Sequence, residues 1–144
     1  MSRPAPATRD AYRVFDRLPT RWRDNDVYGH MNNAVFYEFV DTAVNNWIIA
    51  SKTLIIPNGP VIGLVVSSDC KFNASLGYPD PVDAGIRVAT VGRSSVRYEV
   101  GLFRGDAPAA AAEAGFTHVY VDAQSRRPVP LPVEFATALR GLAN

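Results

Sequence analysis

Five side chains suited to polar chemistry fall within ten residues: Asp24, Asp26, His30, Asn32 and Asn33. Directly after them, residues 35–49 read as a mostly apolar helix, the only long helix the sequence supports. A helix N-terminus leaves backbone N–H groups unpaired and carries the positive end of the helix dipole, so it can hold developing negative charge. A carboxylate a few residues ahead of that helix therefore lets a base and an anion-stabilising site meet. The plain reading of the same residues is capping, since Asp and Asn are preferred ahead of a helix. One cap is sufficient, however, and capping leaves His30 and the second aspartate without a role.

Other chemistries fit the sequence less well. The D-N-D-V-Y-G stretch opens like a calcium loop, with carboxylates at positions one and three and glycine at six. Position five is Tyr28 and position twelve is Val35 rather than glutamate, which excludes calcium. Asp24, Asp26 and His30 lack a second cluster of His, Cys, Asp or Glu to complete a metal site, so neither a metal nor a bound cofactor is expected. The G-x-S-x-G pattern of a serine nucleophile is absent. Cys70 falls on the apolar side of its strand and reads as a small buried hydrophobe. His118 lies in a strand pattern and reads as a structural or edge residue.

Composition narrows the class. A chain of 144 residues suffices for one domain with a real core. The 47% apolar and 20% charged content is that of an ordinary globular protein. A net charge of +1 argues against a broad nucleic-acid footprint. No apolar run approaches the roughly 20 residues of a membrane helix. One cysteine permits no internal disulfide and suits a reducing, cytoplasmic setting. Residues 1–10 read as a flexible tail without an apolar signal region, and 11–144 as a single domain.

The elements that must position the polar cluster follow in order. Residues 12–22 alternate, with Tyr12, Val14, Leu18 and Trp22 on one side and Arg13, Arg17 and Arg21 on the other, which predicts a strand. The arginines are also four apart, as on a helix, but Pro19 would interrupt one. Along the long helix, Phe36, Phe39, Val40, Ala43, Trp47 and Ile48 form an apolar stripe, with Asn32 or Asn33 as N-cap. A long strand follows, with Ile62, Leu64, Val66, Cys70 and Phe72 expected on one face. Residues 86–91 form a third strand and Gly92, Arg93 and Ser94 a tight connection. The fourth strand carries Val96, Tyr98, Val100 and Leu102 on one face, an antiparallel hairpin partner of the third. A fifth strand over 110–121 and a short helix over 133–142 complete an antiparallel α+β architecture. The long helix is apolar around much of its girth, so a curved sheet around it would cover it.

The stretch R-W-R-D-N-D-V-Y-G-H-M-N-N-A-V-F-Y, residues 21–37, resembles the signature of hotdog-fold acyl-CoA thioesterases of the 4-hydroxybenzoyl-CoA thioesterase type. VVSSDCKFNASLGYPDPVDAG, VGRSSVRYEV and VDAQSRRPVPLP extend the resemblance over most of the chain. It implies a five-stranded antiparallel sheet wrapped around one central helix, and hydrolysis of an acyl-CoA ester. Asp26 would be the catalytic carboxylate, as general base or as nucleophile. Gly29 and His30 would shape the turn and orient groups in the site, and Asn33 would lend its backbone N–H to the oxyanion. Asp24 would fix the turn. Arg93, Ser94 and Ser95 would meet the phosphates of coenzyme A; the plain reading of that segment is a hairpin turn with a solvated arginine. Arg126 and Arg127 are alternatives. Sites between subunits of a homodimer or homotetramer are implied. An acyl-carrier-protein thioesterase and a non-catalytic acyl-CoA-binding module are the competing functions. The acyl group is not specified by these residues.

Overall fold

The computed structural model describes residues 4–143. Its framework is one long helix against a five-stranded sheet. Strands β1 (Val14–Leu18), β2 (Val61–Phe72), β3 (Val82–Val91), β4 (Ser95–Arg104) and β5 (Ala112–Asp122) lie in the order β1-β3-β4-β5-β2. Every pairing is antiparallel. Helix α1 spans Asn33–Ser51 and helix α2 spans Val133–Arg140. The α+β architecture inferred from the sequence is the one observed.

Helix α1 begins where Asn32 adopts an extended backbone and its side chain accepts the Ala34 N–H at 2.9 Å, the ordinary N-cap arrangement. It ends at Lys52, whose left-handed φ of 57° stops the helical ladder. Between these caps it buries Phe36, Phe39, Val40, Ala43, Val44 and Ile48, each large side chain contributing roughly 1.5–3 kcal/mol. Trp47, expected in that stripe, is only partly buried against the core. The facing wall comes mainly from β4, where Val96, Tyr98, Val100 and Leu102 are all fully buried, as their alternation predicts. Phe135 and Leu139 of α2 close one side of this core.

Three expectations are corrected. The strand predicted over residues 12–22 is five residues long, because Pro19 has no N–H to give to the sheet. Tyr12 joins Phe103 and Ala110 in a separate cluster, while Leu18 belongs to the main core and Trp22 is 81% exposed. In β2 the pairing with β5 slips between Val65 and Ser67. This bulge at Val66 reverses the alternation: Gly63 and Val65 sit opposite Tyr120 and His118, whereas Ser68, Cys70 and Phe72 sit opposite Phe116, Ala114 and Ala112. Ile62 and Leu64 therefore do not share a face with Cys70 and Phe72. Finally, of the tail expected over residues 1–10, residues 1–3 lie outside the described residues, and Thr8 pairs with Ala109. Arg9 reaches Asp83 at 2.8 Å and the carbonyls of Ala107 and Gly105, so the chain is docked from Thr8 onward.

The direction of α1 matters for the site. Near its N-terminus Phe36 packs edge-on against Phe72, with ring centroids 4.9 Å apart. Near its C-terminus Ile48 shares a cavity wall with Val61. The two ends of the helix thus mark opposite ends of β2.

Candidate active site

The polar cluster is assembled by a turn that ties itself to the helix start. Residues Trp22–Asp24 form one 3₁₀ turn. The Asp24 carboxylate is 1% exposed. It accepts the Arg21 backbone N–H at 2.8 Å and the Arg21 guanidinium at 2.8 Å and 3.1 Å. Its backbone carbonyl accepts the Asn32 N–H at 2.9 Å. Asp24 is thus a structural anchor, the role expected of it.

Asp26 heads the next tight loop. Its Oδ1 accepts the Tyr28 N–H at 2.8 Å, an Asx turn, and its carbonyl accepts the Gly29 N–H at 3.1 Å. Gly29 has φ of 86°, a left-handed value that a side chain would strain. The loop closes when the Asp26 N–H reaches the His30 carbonyl at 2.9 Å. The imidazole Nδ1 of His30 stands 4.0 Å from Asp26 Oδ1, beyond hydrogen-bond reach, with Asp26 20% and His30 48% exposed. The carboxylate keeps Oδ2 free of hydrogen bonds among the described residues.

Asn33 is the first residue of α1, and among the described residues its backbone N–H has no hydrogen-bond partner. A cavity of about 270 Å³ adjoins it, lined by His30, Met31, Asn33, Phe36 and the segment from Phe72 to Ser75. Asp26 is not part of that lining. Asn25 clamps the turn to the chain three residues beyond that segment: its Oδ1 accepts the Tyr78 N–H at 3.0 Å. Asn25 was legible in the sequence only as a turn former, because its partner is fifty-three residues away.

The segment expected to hold phosphate lies elsewhere. Arg93 is exposed in the connection between β3 and β4, its carbonyl accepting the Leu131 N–H at 2.9 Å. Ser95 pairs across from Val119, while Leu102, at the other end of β4, pairs with Ala112, the neighbour of Phe72. Seven residues of strand separate the two ends, roughly 23 Å at 3.3 Å per residue. One chain therefore does not bring Arg93, Ser94 and Ser95 to Asp26 and Asn33.

His118 is neither at an edge nor on the surface. It is 4% exposed on β5, which pairs on both sides, and its Nδ1 lies 3.1 Å from the Tyr120 hydroxyl. That hydroxyl is 2.8 Å from the Tyr98 hydroxyl. Burial lowers the imidazole pKa to about 4, which keeps it neutral near pH 7. Its place was legible from alternation, since Ala114, Phe116, His118 and Tyr120 share one parity in β5. Cys70 lies half-buried opposite Ala114, and burial pushes its thiol pKa up to about 11, which suits an inert side chain.

Among the described residues no group of three or more His, Cys, Asp or Glu is placed to hold a metal ion. None of their helices is long and apolar enough to cross a membrane.

Comparison with known proteins agrees with this fold. No curated protein matches the chain in sequence. The solved PA5185 protein from Pseudomonas aeruginosa is 46% identical, with a TM-score of 0.94 over 98% of both chains. A 1,4-dihydroxy-2-naphthoyl-CoA thioesterase from Synechocystis superposes with a TM-score of 0.79 at 18% identity, covering 88% of this chain and 94% of its own. A DHNA-CoA thioesterase from Staphylococcus aureus gives 0.73 at 14% identity, covering 88% and 86%. The last two likenesses show the shared hotdog fold. Residues 20–139 match the thioesterase-like superfamily, and the chain belongs to that family.

Proposed function

We propose that this protein hydrolyses an acyl-CoA thioester to the free acid and CoA. The observation that carries the reading is the unpaired Asn33 N–H at the start of α1, held by the same turn that holds Asp26. A thioester carbonyl has little resonance stabilisation, so a helix-start N–H that donates to its developing oxyanion lowers the barrier directly. Asp26 then either takes a proton from water or attacks the carbonyl carbon itself. Gly29 gives the loop its shape and His30 orients groups beside the carboxylate. The Synechocystis and Staphylococcus relatives, named for CoA esters, make coenzyme A the preferred carrier.

In this reading the substrate lies between two subunits, in a homodimer or homotetramer in the cytoplasm. Strand β2 is an edge of the sheet, twelve residues long, with Val65 49% and Val66 59% exposed. Such an edge is a template for pairing. Two copies joined antiparallel about the middle of β2 would set the Val61 end of one against the Phe72 end of the other. The Arg93–Ser94–Ser95 turn of one subunit would then approach the partner's Asp26 and Asn33, and arginine with hydroxyls suits phosphate.

The test is thiol release from short, long and aromatic acyl-CoAs by wild type and Asp26→Asn. Asparagine keeps the Oδ1 acceptor for Tyr28, so the variant stays folded, and its kcat is expected to fall by roughly 10²–10⁴. Full activity in a folded Asp26→Asn protein would remove Asp26 from the mechanism.

A further inference from the structure

The Asp26–His30 turn is a small hairpin whose neck is the antiparallel pair Asn25 and Met31. Both neck residues reach the connection between β2 and β3. The Met31 N–H donates to the Leu76 carbonyl at 2.7 Å, and the Met31 and Leu76 side chains are buried in the main core. Asn25 Oδ1 accepts the Tyr78 N–H at 3.0 Å, and its Nδ2 stands 3.5 Å from the Tyr78 carbonyl. Gly77 lies between these attachments, and a Cβ there would stand 3.1 Å from Asn25 Oδ1 and 3.5 Å from His30 Cα. The approach is close enough that a single methyl group would press on the Asn25 side chain.

The connection is itself fixed at both ends. The Asn73 N–H donates to the Ala111 carbonyl at 2.8 Å, and the Gly105 N–H to the Pro81 carbonyl at 2.8 Å. Thr20 Oγ1 adds a bond to the Asp80 carbonyl at 2.9 Å. The sheet therefore holds the 73–81 segment, and the segment holds the neck. Asn73, Ala74 and Ser75 also line the 270 Å³ cavity beside Asn33 and His30. One frame thus supports the cavity at the helix start and the turn that carries Asp26. The bonds at the neck differ in kind. The Met31 bond is between backbone groups and forms whatever the side chain. The Asn25 bond depends on its side chain, and Asn25 directly precedes Asp26. Its removal leaves the Asp26 side of the neck without its tie to the segment.

We propose that Asn25 is a positioning residue for hydrolysis, which sets the Asp26 carboxylate relative to the Asn33 N–H by tying the neck to Tyr78. The proposal rests on the thioesterase reading and on Asp26 as its reacting carboxylate. The role of Asn25 is exerted through Asp26 and not by contact with the thioester. A misplacement of about 1 Å costs a reaction up to roughly 10²-fold in rate. Loss of this one bond is therefore expected in kcat rather than in binding of the CoA ester.

The experiment is acyl-CoA hydrolysis by wild type, Asn25→Ala, Asn25→Asp, Gly77→Ala and the Asn25→Ala/Gly77→Ala double variant, each checked for folding by its melting temperature. Asn25→Ala is expected to lose roughly 10- to 10²-fold in kcat, with KM changed by less than about twofold. Asn25→Asp keeps an oxygen for the Tyr78 N–H and is expected to recover most of that loss. Gly77→Ala presses on Oδ1 and is expected to lower kcat several-fold. In the Asn25→Ala background that oxygen is gone, so the same change is expected to cost nothing further, as for residues in direct contact. Wild-type kcat in a folded Asn25→Ala protein, an Asn25→Asp protein no better than Asn25→Ala, or an equal effect of Gly77→Ala in both backgrounds would overturn the proposal. If Asn25→Ala does not fold, Gly77→Ala decides: a lower kcat at unchanged KM supports the role, and an unchanged kcat overturns it. If wild type hydrolyses no CoA ester, the thioesterase reading itself fails. Amide hydrogen exchange then judges the tie alone, through the Asp26 and Gly29 N–H groups that close the turn. Faster exchange in Asn25→Ala supports it, and equal exchange overturns it.

Discussion

The Asp24 carbonyl accepts the Asn32 N–H at 2.9 Å, which ties a buried aspartate directly to the residue that caps α1. The same aspartate holds Arg21 through its carboxylate. The position of the helix start, and of the N–H groups it presents, therefore depends on a residue whose carbonyl holds Asn32 while its buried carboxylate holds Arg21.

Asp24→Ala leaves the Arg21 N–H and guanidinium without their acceptor beside a buried void. Stability should fall by about 2 kcal/mol, read as a lower urea midpoint. An unchanged midpoint would show that the turn is held by its backbone bonds alone.

Asn33→Pro isolates the oxyanion contribution. Proline is tolerated at the first position of a helix, where its missing N–H serves no intrahelical bond. Asn32 already has the extended backbone, φ −61° and ψ 140°, that a following proline requires. The variant should keep its melting temperature within a few degrees and lose roughly 10²–10³ in kcat. A folded variant with wild-type kcat would move the oxyanion site to another donor.

Arg93→Ala should raise KM for CoA esters several-fold and leave a short pantetheine-type thioester nearly unaffected. The difference should shrink as salt screens the exposed charge. Equal effects on both esters would separate Arg93 from the phosphates.

His118 gives the acid limb of stability a defined source. Its pKa is about 4 in the folded chain against 6.5 when free. Between these values the unfolded chain binds a proton that the folded chain refuses, so the stability present above pH 6.5 is lost as pH falls toward 4. The full loss is about 3 kcal/mol at 1.36 kcal/mol per pH unit. Urea unfolding of wild type and His118→Leu between pH 7 and pH 4.5 checks it: the wild-type slope should be the steeper. Parallel slopes would place the titration elsewhere.

The sequence by itself determined what depends on near neighbours. The stripe from Phe36 to Ile48, the cap at Asn32 and the alternation from Val96 to Leu102 are legible because their periods are set by one helix or one strand. The Asp26–His30 turn is legible because Asx and glycine geometry is local. Tertiary structure decided the rest. The slip at Val66 is set by pairing with β5, across more than fifty residues of chain, and it alone turned Ile62 and Leu64 away from the face of Cys70. The long β4 strand separated Arg93 from Asp26, although the family resemblance assigned both to one site. The meeting of His118, Tyr120 and Tyr98 needed two strands placed side by side in a single register. Such contacts carry no sequence period, because their partners are chosen by the packing of the whole sheet.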